Sequence, residues 1–154
     1  MKKLRCKKGF TLSELLVTVV MLAILTLAVA VGISSSIRVY HQSVTISEAG
    51  ILSSTLCQAI SDELHYAKEI DASGGTVTFL SDNYGRKTSI TTNADGKLMV
   101  GTYPLIGNSA YTHLNADVAI TYSDAAKSFD VTLIIKEKNN VVSTRSFQIS
   151  PLNV

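Results

Sequence analysis

An α+β domain carried on an N-terminal apolar helix is the fold class this sequence predicts, and three observations lead to it. No charged residue occurs between Leu15 and Ile37. Beyond Arg38 apolar residues recur near helical spacing to about residue 70. Past Gly75 the apolar period falls to two, and short runs are separated by turns rich in Gly and Asn. The expected arrangement is one long helix, with a transmembrane half and an amphipathic half, packed on a small antiparallel β-sheet.

The elements follow in chain order. Residues 1–9 are a basic N-terminal segment carrying Lys2, Lys3, Arg5, Lys7 and Lys8. Residues 10–37 form the hydrophobic helix, whose uncharged part at about 1.5 Å per residue is long enough for a hydrocarbon core of roughly 30 Å. Residues 38–154 form a globular headpiece, which begins with an amphipathic helix over 38–70. Its stripe is expected to run through Ile37, Tyr40, Val44, Ile51, Leu56, Ile60, Leu64 and Ala67, leaving Asp62 and Glu63 on a solvated face. Gly32 followed by Ser34-Ser35-Ser36 is a weak helical stretch that could bend or melt. Asp71-Ala72-Ser73-Gly74-Gly75 supplies the helix stop.

The sheet is expected over 76–150. Thr76–Leu80 reads as a strand, Asn83-Tyr84-Gly85 turns into Lys87–Thr92, and Asn93-Ala94-Asp95-Gly96 turns into Lys97–Val100. Pro104 to Tyr111 is irregular. Asp117–Tyr122, Ser128–Lys136 and Val141–Ile149 complete the meander through tight hairpins at Asp124–Lys127 and Glu137–Asn140. Phe129, Val131, Leu133 and Ile135 alternate toward the core. Tyr66, Tyr84, Tyr103, Tyr111 and Tyr122 are expected to cap it.

The densest signal is Lys7-Lys8-Gly9-Phe10-Thr11-Leu12-Ser13-Glu14-Leu15-Leu16, where one carboxylate heads the long apolar run. An unpaired carboxylate at the edge of hydrocarbon is expensive, which makes Glu14 a functional candidate. Lys8 to Val17 resembles the prepilin cleavage and methylation motif of type IV pilins and of the pseudopilins of type II secretion and DNA-uptake systems. That resemblance implies cleavage between Gly9 and Phe10 by a prepilin peptidase, N-methylation of Phe10, and an assembly role for Glu14, the fifth residue counted from Phe10. It also implies other pilin or pseudopilin subunits, an inner-membrane assembly platform and its ATPase, and membrane lipid as partners. The helix-plus-meander layout resembles pilin headpieces. Many members of the family carry a proline midway through the apolar helix, where Val31 and Gly32 stand here.

The implied function is a structural subunit, a minor pilin or pseudopilin, rather than an enzyme. Its N-terminus would be cytoplasmic and its C-terminal domain extracytoplasmic, because cations flanking a span stay inside. Two readings of Glu14 stand side by side. As a helix N-terminal carboxylate it would favour the macrodipole, with Ser13 or Thr11 capping. As an assembly residue it would neutralise the new ammonium at Phe10 of a neighbouring subunit in an apolar filament core. Two other functions compete. The chain could be an ordinary exported protein, with Ala28-Val29-Ala30 as a signal-peptide cleavage site. It could also be a membrane-tethered binding or catalytic domain.

Composition narrows the rest. Without the leader, nine Lys and Arg face twelve Asp and Glu, a net charge of about −3, which lacks the basic density of a dedicated nucleic-acid binder. Cys6 lies in the leader, so Cys57 would stand alone after cleavage and reads as a small buried residue on a helix. His41, His65 and His113 are scattered and read as surface histidines. The first two are about 36 Å apart along a helix, too far to share a metal. No HExxH, CxxC, phosphate loop or nucleophile elbow occurs, so no cofactor or metal is expected. Asp82, Asn83 and Asp95 read as turn formers.

Overall fold

The computed structural model describes residues 11–152. Gly9 and Phe10 lie outside them. The chain separates into two compact units, Met1–Gln42 and Ser43–Val154. Helix α1, Leu12–His65, supplies all the secondary structure described in the first unit and opens the second.

In the first unit the helix is apolar on every side. Leu15, Leu16, Val17, Met21, Leu22 and Leu25, which point in all directions around the axis, are all exposed. Its most apolar 18-residue window has a mean hydropathy of 2.8, and none of it is buried within the subunit. Such a surface is stable only against lipid or other helices. The Gly32–Ser36 stretch stays helical rather than melting. Ser34 and Ser36 turn their hydroxyls back to the carbonyls of Ala30 and Gly32, each at 3.0 Å. Those bonds satisfy the serines without breaking the helix.

In the second unit the helix acquires one apolar stripe, and its register differs from the sequence expectation. Ala49, Leu52, Ser53, Leu56, Ile60, Glu63 and Leu64 are buried, whereas Ile37, Tyr40 and Ile51 are exposed. The buried stripe therefore begins at Ala49, about three turns later than hydropathy suggested. Burying each large aliphatic side chain contributes about 1.5–3 kcal/mol.

The amphipathic helix ends at His65, not at residue 70. Lys68–Asp71 is a strand, β1, with Lys68 opposite Leu80 and Asp71 opposite Thr78. The expected helix stop is thus the end of β1 and the hairpin loop that follows it, not a helix cap. Asp71 Oδ1 accepts the Ser73 N–H at 3.0 Å and the Ser73 hydroxyl at 2.6 Å, which holds its carboxyl below the usual range. Strand pairing wins over helical propensity here because it places Ala67 in the core and Ile70 against it. The freed carbonyl of His65 accepts the Leu152 N–H at 2.9 Å, and His65 Nδ1 lies 3.1 Å from the Ser150 carbonyl. The C-terminal segment thereby closes the helix end.

The sheet is not a single meander either. Three three-stranded antiparallel ladders form in succession. The first joins β1 to β2 (Thr78–Ser81) and β3 (Arg86–Thr88). The second joins β4 (Ile90–Thr92), β5 (Leu98–Val100) and β6 (Tyr103–Pro104). The third joins β7 (Leu114–Ser123), β8 (Ser128–Glu137) and β9 (Asn140–Ile149). The run expected as one strand, 87–92, breaks at Ser89, whose carbonyl instead accepts the Gly101 N–H at 3.0 Å. A short 3-10 helix, Asn108–Tyr111, occupies the irregular segment and buries Tyr111. The Tyr111 hydroxyl accepts the Leu98 N–H at 2.9 Å, and burial pushes its phenol up.

The core holds Leu52, Leu56, Ile60 and Leu64 of the helix with Phe79, Leu98, Phe129, Val131, Leu133 and Ile135 of the strands. On β8 the expected alternation is observed: Phe129, Val131, Leu133 and Ile135 are buried and Asp130 is exposed. Because this core lies wholly within Ser43–Val154, a fragment beginning at Ser36 is expected to be soluble and to melt in one cooperative transition by circular dichroism. Aggregation, or a featureless melt, would contradict the separation of roles along the helix.

Candidate functional site

The site suggested by the sequence is the beginning of α1. Thr11 is the N-cap, and the first turn carries Glu14. The Glu14 N–H donates to Thr11 Oγ1 at 3.3 Å. Glu14 Oε2 in return accepts both the Thr11 N–H and the Thr11 hydroxyl, each at 3.0 Å. This reciprocal pairing is a capping box of the Thr-x-x-Glu type, and it satisfies donors that a helix start leaves orphaned. Thr11, not Ser13, is the cap; Ser13 Oγ lies 3.0 Å from Thr11 Oγ1 and supports it. Among the described residues the bonds to the Glu14 carboxylate all fall on Oε2.

The capping box fixes how the carboxylate is presented. Glu14 is exposed, at the head of a helix that carries no other charged residue before Arg38. Its negative charge suits the positive end of the helix dipole. Among the described residues one oxygen is engaged by Thr11, and a carboxylate oxygen is a strong acceptor for a cation.

The prokaryotic N-terminal methylation motif matches residues 4–30. The chain carries the signal motif of type IV pilins and pseudopilins. The motif covers Gly9, Phe10 and Glu14, and it continues through most of the apolar helix. It supports a pilin- or pseudopilin-type precursor, and a motif of this type implies prepilin peptidase processing and assembly with other pilin subunits. With one helix long and apolar enough to cross a membrane, it also points to membrane anchoring. The α+β layout of the second unit is consistent with a pilin-like fold. No curated protein and no solved structure matches the chain.

Elsewhere the structure corrects several expectations. Glu63 is not on a solvated face: it is 5% exposed. The Ser81 hydroxyl donates to its Oε1, and Asn83 Nδ2 donates to Oε2 at 2.7 Å. Ser81 Oγ also accepts the Tyr84 N–H at 3.2 Å, so one carboxylate organises the whole β2–β3 turn. A sequence signal for this did exist. Glu63 follows Ile60 by three positions and precedes Leu64, so it lies on the buried stripe itself.

Tyr84 and Tyr103 do not cap the core. They are exposed and stacked, with centroids 5.1 Å apart, and the Arg86 guanidinium lies 5.0 Å from the Tyr103 ring. Tyr66 is exposed as well, while Tyr122 packs on Phe129 at 5.0 Å. His113 is more than a bare surface histidine. Its Nδ1 lies 3.5 Å from Glu48 and its Nε2 lies 3.6 Å from Glu137. The two carboxylates sit on different ring nitrogens, so they do not converge on one point. Among the described residues no group of three or more His, Cys, Asp or Glu is placed to hold a metal. Cys57 is half-buried on the helix, and burial pushes its thiol up, away from the reactive thiolate form.

Proposed function

We propose that this chain is a minor pilin or pseudopilin, a structural subunit extracted from the membrane and polymerised through its apolar helix. The observation that carries the reading is the conjunction at the start of α1. A capped glutamate heads a helix with no buried residue before Ala49, directly after the methylation motif's Gly-Phe pair. An apolar surface of that extent has no partner inside its own subunit, and the motif class supplies one, the helices of neighbouring subunits.

In this reading the peptidase cuts between Gly9 and Phe10, and the amine of Phe10 is then methylated. The leader cations hold the N-terminus in the cytoplasm before cleavage, and the Ser43–Val154 unit faces outward. An assembly platform and its ATPase then move the subunit from lipid into a filament. Glu14, with Oε2 held by Thr11, offers Oε1 to the Phe10 ammonium of a neighbour. In a poorly screened apolar core that pair both attracts and sets register, because a misplaced subunit leaves a buried charge unpaired. The absence of a catalytic motif from the sequence supports a structural rather than an enzymatic role. A signal-peptidase reading would place its cut at Ala28-Val29-Ala30, yet those residues lie mid-helix with apolar pattern continuing beyond them.

The test is processing. Gly9 offers no side chain to obstruct the scissile bond, so Gly9→Leu is expected to leave the leader attached. The product should be heavier on a gel by the leader mass, remain in the membrane fraction and be missing from sheared filaments. Normal processing of Gly9→Leu would refute the prepilin reading.

A further inference from the structure

His113 immediately precedes β7 and stands between two carboxylates, one at each ring nitrogen. Nδ1 lies 3.5 Å from Glu48 Oε2, and Nε2 lies 3.6 Å from Glu137 Oε1. Glu48 belongs to α1, one residue before Ala49, where the buried stripe begins. Glu137 closes β8 and pairs in register with Leu114. The imidazole therefore bridges helix and third ladder at the point where the helix opens the Ser43–Val154 unit. Among the described residues no other cation stands within ion-pair distance of either carboxylate. Lys136, beside Glu137 on β8, is engaged by Asp117 of β7, and Lys138, in the turn after β8, pairs with neither.

Two further observations distinguish this cluster from a casual surface contact. Among the described residues Glu48 Oε2 is buried and has no hydrogen-bond partner. A buried acceptor without a donor is costly. The backbone that carries the imidazole is also strained. Thr112 sits at φ +52° and ψ −105°, a region that a β-branched residue rarely adopts. On one side of it Tyr111 is buried, with its hydroxyl accepting the Leu98 N–H; on the other Leu114 is buried in β7. These two anchors hold Thr112 in its strained state and keep His113 between the carboxylates.

The chemistry of imidazole decides what the cluster does. A neutral ring carries one N–H and one lone pair, so whichever tautomer forms, one carboxylate faces a lone pair. A charged ring donates from both nitrogens and serves Glu48 and Glu137 together.

We infer that His113 is a protonation-dependent clasp, which ties α1 at Glu48 to β8 at Glu137 when charged and releases one of them when neutral. The clasp stabilises while the imidazole is charged and the carboxylates are ionised, between about pH 4.5 and 6.5 for groups of these types. It weakens as pH rises and the ring loses its proton, and again in stronger acid as the carboxylates gain theirs. It lies wholly within Ser43–Val154, so it stands whether or not the subunit polymerises. The three side chains are 35–45% exposed, so solvent screens them in part and the effect is a shift of a few degrees.

The test is thermal unfolding of the full-length chain in non-ionic detergent, followed by near-ultraviolet circular dichroism of its tyrosines. The two conditions are about pH 5.5 and about pH 7.5, on either side of the ordinary imidazole value. His113→Gln places an uncharged side chain at both. The Tm advantage of the parent over His113→Gln is expected to be larger at the lower pH by about 3 °C. Comparing the two proteins at each pH cancels titrations elsewhere, such as those of Glu63 and Asp71. Glu48→Gln and Glu137→Gln are each expected to shrink that pH-dependent gap, and the two together to abolish it. An equal advantage at both pH values would overturn the clasp and leave His113 a packing role alone. A gap that survives both glutamine substitutions would overturn it by placing the partner elsewhere. Should His113→Gln fail to fold, the parent is compared with Glu48→Gln instead. Its advantage must again grow at the lower pH, and no growth would overturn the proposal.

Discussion

Glu14→Ala is expected to be cleaved and inserted normally and yet to be depleted from filaments. Alanine is the best helix former, so the apolar helix itself survives the change. What is lost is the charge that a neighbouring Phe10 ammonium would meet. A buried charge stripped of its partner is penalised heavily, so recovery in sheared filaments should fall on the order of tenfold or more. Glu14→Gln separates the two roles of this side chain. Glutamine preserves the capping box, because its amide oxygen can still accept from Thr11. It carries no charge, so under the pairing account it fails nearly as badly as alanine. The measurement is the ratio of tagged subunit in sheared filaments to that in the membrane fraction. Wild-type recovery of Glu14→Gln beside a defective Glu14→Ala would make Glu14 a helix cap and nothing more. Wild-type recovery of both would remove it from assembly.

The second large effect is expected at Glu63. Its carboxylate is buried and accepts from Ser81 and Asn83. Glu63→Ala removes the acceptor and leaves the fully buried Ser81 hydroxyl to find another. Hydrogen bonds to a charged group contribute about 1.5–3 kcal/mol each, so a loss of roughly 3 kcal/mol in unfolding free energy is expected. Glu63→Gln keeps the shape and one acceptor oxygen, and should cost about half as much. Denaturant melts of the fragment beginning at Ser36 would measure both. A Glu63→Ala variant as stable as the parent would show that the β2–β3 turn does not depend on this carboxylate.

Glu63 also shows where sequence reading ran out. The pattern from residue 49 to 67 announces a helix with one buried stripe, and residue type alone assigned Glu63 to solvent. Its partners, Ser81 and Asn83, lie on a strand and turn that packing brings back to the helix, and no local pattern encodes that return. The end of the helix failed for a similar reason. Lys68–Asp71 has nothing against helix locally, but pairing with β2 and burial of Ala67 outweigh propensity. The long hairpins β7–β8 and β8–β9 were legible because alternation and turn residues act within neighbouring segments. The division of the remaining strands into separate ladders was not, since it depends on the break at Ser89 and the close approach of Gly96 to Asn115.

At the start of α1 the opposite holds. The basic cluster, the Gly-Phe pair, the glutamate offset and the uncharged run are all local, and all were visible in the sequence. The structure adds the Thr11–Glu14 capping box, in which the carboxylate caps its own helix through Oε2.

The account rests most directly on where the mature chain begins. Intact-mass and N-terminal peptide analysis of the protein from the membrane or filament fraction decides it. The account predicts a chain starting at Phe10 and bearing an N-methyl group. A chain starting near Val31, or one that keeps the leader through Gly9 in assembled filaments, would contradict it.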